Sequence, residues 1–192
     1  MRTQALKHLR TALNRTDADF RPGQWESIED ILNRKRLLVV ERTGWGKSMV
    51  YFLATRLLRD KGAGVSLLIS PLLSLMRNQL EAASRIGVRV CEIHTGPYAH
   101  AFHGKGRDAE SPAVLDELAK IRVAGAAICA AGMRFNAGHA LNYFNVQPVA
   151  ALPRIRELHI GHAIVSRAVF VGMREAVREM KRLMREAAAA AR

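Results

Sequence analysis

Residues 136–162 read NAGHALNYFNVQPVAALPRIRELHIGH, and this stretch decides the fold. One short strand is expected over Met133–Asn136 and another over Leu158–Ile160, each running into a glycine–histidine pair, Gly138-His139 and Gly161-His162. Val146–Ala151, between them, reads as a helical turn. From Ala163 onward, AIVSRAVFVGMREAVREMKRLMREAAAA reads as one long amphipathic helix. Glycine at a strand end lets backbone N–H groups approach an anion closely, and the N-terminus of the following helix adds partial positive charge.

Working outward, Ser111-Pro112 is a helix start, with Ser as N-cap and Pro at the first helical position. That helix is expected to reach about Ala131 and stop at Gly132. Thr95–Glu110 reads as a loop. Further upstream, Val88–His94, Val65–Ser70 and Leu37–Glu41 read as strands, and Leu73–Ile86, Met49–Asp60, Gln24–Asn33 and residues 3–13 as helices. Alternation of strands with helices of ten or more residues implies right-handed βαβ units. The expected fold is α/β: a mostly parallel sheet of five strands, 37–41, 65–70, 88–94, 133–136 and 158–160, flanked by helices. A closed eight-stranded barrel needs more strands and about 250 residues.

The chain has 192 residues, 49% of them apolar, enough for one well-cored domain or two small ones. No run approaches the roughly 18 to 20 apolar residues of a membrane span. The start, MRTQALKHLR, has no apolar signal-peptide core, and two cysteines, Cys91 and Cys129, make no disulfide framework. A reduced, cytoplasmic protein without membrane partners is expected. The net charge of +13 is spread as +8 over residues 1–90 and +5 over 91–192. Such a balance favours polyanions, whether nucleic acid or phosphorylated small molecules, and equally fits an Arg-rich solvated surface.

The segment LLVVERTGWGKSMVYF is an apolar strand, a Gly-rich turn and a helix. Gly44 and Gly46 would let backbone N–H groups crowd a phosphate, Lys47 adds charge, and Ser48 would reach a magnesium ion. The usual first glycine of such a phosphate loop is Glu41 here. FRPGQWESI (Phe20–Ile28) precedes this loop and LLISPLLSLMRNQ (Leu67–Gln79) follows it. The three segments together resemble the N-terminal part of RecQ-like superfamily 2 DNA helicases, over roughly residues 1–87. The resemblance implies an adenine-reading role for Gln24 beside Phe20 and Arg21. It implies an ATP phosphate loop at Gly44, Gly46, Lys47 and Ser48, and nucleic-acid contacts at Ser70, Pro71 and Arg77–Gln79. Cys91 stands where that family's acidic box would place a magnesium-binding Asp, so coupled unwinding is not expected. ATP and magnesium are the ligands such a loop implies, and no resident metal site is expected.

EIHTGPYAHAF (Glu92–Phe102), NAGHALNYFNVQPVAALP (Asn136–Pro153) and ELHIGHAIVSRAVFVGMREAVREMKRLM (Glu157–Met184) resemble pyridoxine 5′-phosphate synthase. That family is a (β/α)8 barrel that condenses 3-amino-2-oxopropyl phosphate with 1-deoxy-D-xylulose 5-phosphate in vitamin B6 biosynthesis. The segments match its sixth, seventh and eighth strands, so the resemblance covers residues 88–192 and reaches back to about 64. It implies His139 as a catalytic proton donor and Glu92 as a charge stabiliser. It implies Gly138, Ala140, Gly161 and His162 as phosphate-side residues. Ala140 stands where the family has a glycine, and nothing in residues 1–66 matches the groups on the family's first four strands.

The domain reading is a helicase-like phosphate-loop segment, 1–87, joined to a half-barrel segment, 88–192, in one continuous core. Three functional readings stand beside it. One is a phosphate-ligand-binding chimera of synthase ancestry with doubtful turnover. Another is an ATP- and nucleic-acid-binding helicase fragment. The third is a structural chimera with no activity. A homo-oligomer is compatible with each.

Overall fold

This computed structural model describes residues 1–42, 44–64, 66 and 76–191. The chain divides into two compact units, Met1–Val88 and Arg89–Arg192.

The described part of the front unit is helical: α1 (Arg2–Leu13), α2 (Gln24–Leu32), α3 (Lys47–Asp60) and α4 (Met76–Arg85). Helical spacing puts Ala5, Leu9 and Ala12 on one buried face of α1. They meet Ile28 of α2 and Phe52, Leu53 and Leu57 of α3 in a single apolar cluster. A polar tie closes α1 on α3. Asp60 accepts from Gln4 Nε2 at 2.9 Å, lies 3.0 Å from His8 Nε2 and pairs with Arg56 Nε at 2.9 Å. Burial alone would raise the Asp60 carboxyl, but the His8 hydrogen bond and the Arg56 charge overcome it and hold the group below its ordinary value.

The expected strand at 37–41 is not one. Leu37–Val40 carries no strand hydrogen bonding, and Leu38 and Val40 are 86% and 83% exposed. An apolar run becomes a parallel strand only beside a ladder partner, and the described sheet has three strands rather than five. The expected partner, 65–70, lies almost wholly outside the described residues, as do Ser70, Pro71 and the side chains of Arg77–Gln79.

The back unit holds that sheet: β1 (Val90–His94), β2 (Arg134–Gly138) and β3 (Ile155–His159), all parallel, in the order β1-β2-β3. Helices α5 (Gly96–Gly104) and α6 (Pro112–Ala130) connect the first two strands, and α7 (Val146–Ala150) the last two. Thr95–Glu110 was expected as a loop. Most of it is helical because Pro97 suits a first turn while Tyr98, Ala99 and Phe102 bury one face. Helix α6 starts at Pro112 behind an extended Ser111 and presents Val114, Ile121 and Ile128, seven residues apart, to the core. It packs on β1 and β2, where Ile93, Phe135 and Ala137 are buried. Gly125 sits at the closest approach, since a Cβ there would run into the Phe135 ring. The long C-terminal helix is in fact two, α8 (His162–Val171) and α9 (Met173–Ala190). Gly172 breaks it with φ +79° and an extended ψ, a conformation that glycine adopts without strain. No described helix is long and apolar enough to cross a membrane.

Candidate functional site

Side chains alternate along a strand. With Ile93, Phe135 and Ala137 turned to α6, the next residues must face the other way. Register then sets two rows across the sheet: Glu92, Asn136 and Glu157 in the lower, His94, Gly138 and His159 in the upper. These six positions lie toward the C-terminal ends of the strands, where α/β proteins assemble binding sites.

The rows are cross-bonded. His159 Nδ1 lies 2.5 Å from Glu92 Oε2 and its Nε2 lies 3.3 Å from Glu157 Oε2. Asn136, almost fully buried, donates Nδ2 to the same Glu157 oxygen at 3.1 Å. With a carboxylate at each ring nitrogen, the doubly protonated imidazolium satisfies both. The Glu92 hydrogen bond raises the His159 pKa above its ordinary value against partial desolvation, and Glu157 adds to it. Burial, with the neighbouring Glu92 charge, pushes the Cys91 thiol up. That keeps it a protonated thiol, and both cysteines are free.

His139 follows β2 directly. It holds φ +86° and Ala140 holds φ +56°, both in the left-handed region that L side chains resist. Several hydrogen bonds fix this turn. Thr95 donates its backbone N–H to Gly138 O at 2.8 Å. Its hydroxyl proton is shared between Gly138 O at 2.7 Å and His139 O at 2.6 Å. Asn145 Nδ2 donates to Ala140 O at 3.2 Å and its Oδ1 accepts from Asn142 N at 2.7 Å. The Tyr98 hydroxyl donates to Asn145 O at 2.9 Å, and burial pushes its pKa up to about 12, which keeps it a donor. The His139 ring stacks on His94, with centroids 4.2 Å apart. Gly96 makes room, because a Cβ there would strike the His94 ring and approach His139 Cδ2 to 3.3 Å. Gly161 and His162 are exposed past the end of β3, at the start of α8.

Glu92, Gly138, His139 and Ala140, expected as site residues, therefore lie on or just past β1 and β2 of one sheet, and Gly161 and His162 follow its third strand. The expected nucleotide residues belong to the front unit. Gly44 and Gly46 have φ of +86° and +99°, and α3 begins at Lys47. Gln24 is buried and bonded within the protein. Its Oε1 accepts from Arg21 N at 2.8 Å, and its Nε2 donates to Trp45 O at 3.0 Å and Gly46 O at 3.3 Å. Lys47 Nζ donates to the carbonyls of Glu41 and Arg42. Ser48 follows in the first turn of α3.

Sequence reasoning did not single out Thr95, Tyr98, Asn136, Asn145, Glu157 or His159. Glu157 and His159 carried a signal: they alternate with Leu158 and Ile160, so a strand buried on one face turns both toward the other. Thr95 and Tyr98 carried none, because their role is to hold backbone across 43 or more residues. Among the described residues, no three His, Cys, Asp or Glu side chains converge so as to hold a metal ion.

The family model for the pyridoxal phosphate biosynthesis protein PdxJ matches residues 47–186. A pyridoxine 5′-phosphate synthase of Azoarcus sp. (strain BH72) is 82% identical over 111 residues, 58% of this chain and 45% of that protein. One from Dechloromonas aromatica (strain RCB) is 80% identical over 110 residues, 57% of this chain and 44% of its own. One from Rhodopirellula baltica (strain DSM 10527 / NCIMB 13988 / SH1) is 49% identical over 131 residues, 68% of this chain and 48% of its own. The chain thus spans about half the length of these curated relatives. The family match begins at Lys47, inside the Gly-rich loop and well before the expected boundary, and nothing in these likenesses supports the helicase resemblance. With 47–186 matched, the chain belongs to the pyridoxal phosphate biosynthesis protein PdxJ family.

Proposed function

We propose that the back unit, Arg89–Arg192, is the phosphate-binding half of a pyridoxine 5′-phosphate synthase site and turns over slowly if at all by itself. The observation that carries this reading is His139, held in strained backbone by Thr95 at the head of a polar strand face. Strain of that kind persists where surrounding structure enforces it, and it clusters at ligand sites. His139 is the proton donor and Glu92 the charge stabiliser, while Gly138, Ala140, Gly161 and His162 line the phosphate side. Slow turnover of this unit on its own is expected because it resembles only part of the relatives, 45% of the Azoarcus protein, and an acid–base group that lies outside the unit is worth roughly 10²–10⁴-fold in rate. We read the setting as cytoplasmic, in keeping with two unpaired cysteines.

Chemical-shift mapping with pyridoxine 5′-phosphate tests binding. Signals at 138–140 and 161–163 are expected to move, and His162→Ala to weaken the response. No shift at those positions up to millimolar ligand would sink the reading. Robust product from both substrates, abolished by His139→Ala, would overturn the claim of slow turnover.

A further inference from the structure

Gly138 leaves a gap in the upper row, and His159 reaches Glu92 through it. In register, His159 is level with Gly138 and Gly138 with His94. Glu92 therefore lies one row down and two strands away, roughly 9–10 Å across the sheet at ordinary strand spacing. Both side chains must lean over β2 to meet, and they do, with Nδ1 and Oε2 2.5 Å apart. A Cβ at position 138 would run into Glu92 Oε1, and would lie 3.0 Å from His159 O and 3.1 Å from His159 Cβ. The glycine is thus required by the crossing above it, since the strand carries no positive φ there. Below the crossing, Asn136 grips Glu157, which faces the other ring nitrogen. Its Oδ1 is buried with no hydrogen-bond partner among the described residues, so the amide is oriented by Glu157 alone.

We propose that His159 is a positioning residue: crossing over Gly138, it holds the Glu92 carboxylate in one orientation above β2, with Glu157 and Asn136 fixing the far side of its ring. Unheld, Glu92 and Glu157 are two carboxylates on one polar face and repel each other. With the imidazolium between them each has a partner, and Glu92 is preorganised where a developing charge needs it. The proposed function enters only in what Glu92 faces, so the clamp can be tested without ligand. The titratable groups on this face are Glu92 and His94 from β1, Glu157 from β3, Arg134 one row below Asn136 on β2, and His139 stacked on His94 past the end of β2.

The test is the imidazole titration of His159, followed by its side-chain nitrogen and carbon shifts in the full chain. Wild type should titrate above the ordinary histidine value. Glu92→Gln should bring the midpoint down by the largest amount, and Glu157→Gln by a smaller one. Gly138→Ala should bring it down with Glu92 still present, because the methyl group fills the gap. His94→Gln is the control and should leave it in place. If Glu92→Gln and Gly138→Ala both leave the His159 midpoint unmoved, the clamp does not exist. A fall in Glu92→Gln without one in Gly138→Ala overturns the crossing over the glycine.

Ligand then separates this proposal from the functional reading. Where wild type binds pyridoxine 5′-phosphate, His159→Ala should weaken binding about three- to tenfold. His159→Gln, whose amide donates but does not titrate, should restore most of the affinity and lose its pH dependence. Equal weakening by both variants would mean a merely structural role and overturn positioning. Absence of binding in wild type overturns the proposed function, while the ligand-free titration still decides the clamp.

Discussion

Each unit contains a histidine against a carboxylate, and the two contacts serve opposite ends. In the front unit, His8, Gln4 and Arg56 converge on Asp60, all between α1 and α3, and the result is a tie between helices. In the back unit, His159 faces Glu92 and Glu157 across open strand ends, with all three side chains about half exposed. The same chemistry is structural where helices close over it and available where a sheet stops. The Gly-rich turns differ likewise. Gln24, Lys47 and Arg21 are bonded to the front loop's own carbonyls. In the back unit Thr95 and Asn145 take the carbonyls of 138–140 and leave His139 exposed.

The sharpest way to separate the two architectures is to damage one core. Phe135 is 1% exposed and lies against Gly125 of α6. Phe135→Ala should destabilise the back unit by about 3–5 kcal/mol through lost transfer energy and a residual cavity. Urea unfolding should show it, with amide exchange rising first in β2 and α6. If exchange rises first in α1–α3 instead, the assignment of the two cores is wrong.

A smaller effect is expected at the turn. Thr95→Val keeps the backbone N–H bond to Gly138 O but strips His139 O of its hydroxyl partner. Leaving a partly buried acceptor unpaired costs about 1–3 kcal/mol. His139 should relax from its strained φ, so its ring signals should lose the shielding of the His94 stack. A stable variant with unchanged His139 shifts would mean the strain is enforced elsewhere.

Much of the back unit was legible because its signals are local. The Ser111-Pro112 start, the Gly132 stop and the two Gly-His pairs each announce a strand or helix boundary in two residues. The strand order and the crossing over Gly138 were not legible, since register depends on residues 20 to 45 apart. In the front unit, Leu37–Glu41 was misread because apolarity alone does not supply a ladder partner. The break at Gly172 was missed because the apolar periodicity continues through it. Of the residues suggested by resemblance, Gly138 ends β2, His139 and Ala140 follow it, and His162 begins α8. Those that hold them, Thr95, Tyr98 and Asn145, act through backbone carbonyls that no sequence pattern marks.

The two histidine–carboxylate contacts should answer pH in opposite directions. Asp60 is held below its ordinary value, so its contribution is present above about pH 3.8 and lost as pH falls through the folded value. His159 is raised, so its contribution is complete below about pH 6.5 and lost as pH rises through the folded value. Asp60→Asn should therefore cost on the order of 1 kcal/mol near neutrality and progressively less in acid. For His159→Gln the cost should be on the order of a few tenths of a kcal/mol on the acid side, vanishing in alkali, because the pair is half exposed. Unfolding midpoints across pH check both. A His159→Gln effect that grows with pH would reverse the sign and refute the assigned pairing.

One further change isolates a single methyl group. Ala140 sits at φ +56°, next to His139 at +86°. A left-handed L residue costs about 1–2 kcal/mol relative to its preferred conformation. Glycine removes that strain but gains unfolded-chain entropy worth about 0.4–1 kcal/mol. Ala140→Gly should therefore stabilise the back unit by about 1 kcal/mol or less, the difference between those two terms. Its effect on ligand should exceed its effect on folding. Ala140 is exposed on the side where the synthase resemblance places the phosphate, so losing the methyl lets backbone N–H groups approach an anion more closely. Thermal unfolding and a pyridoxine 5′-phosphate titration, run on the same samples, separate the two. Tighter binding with nearly unchanged stability supports a phosphate beside this turn. Higher stability without tighter binding leaves the methyl group a backbone matter alone and moves the phosphate away from β2.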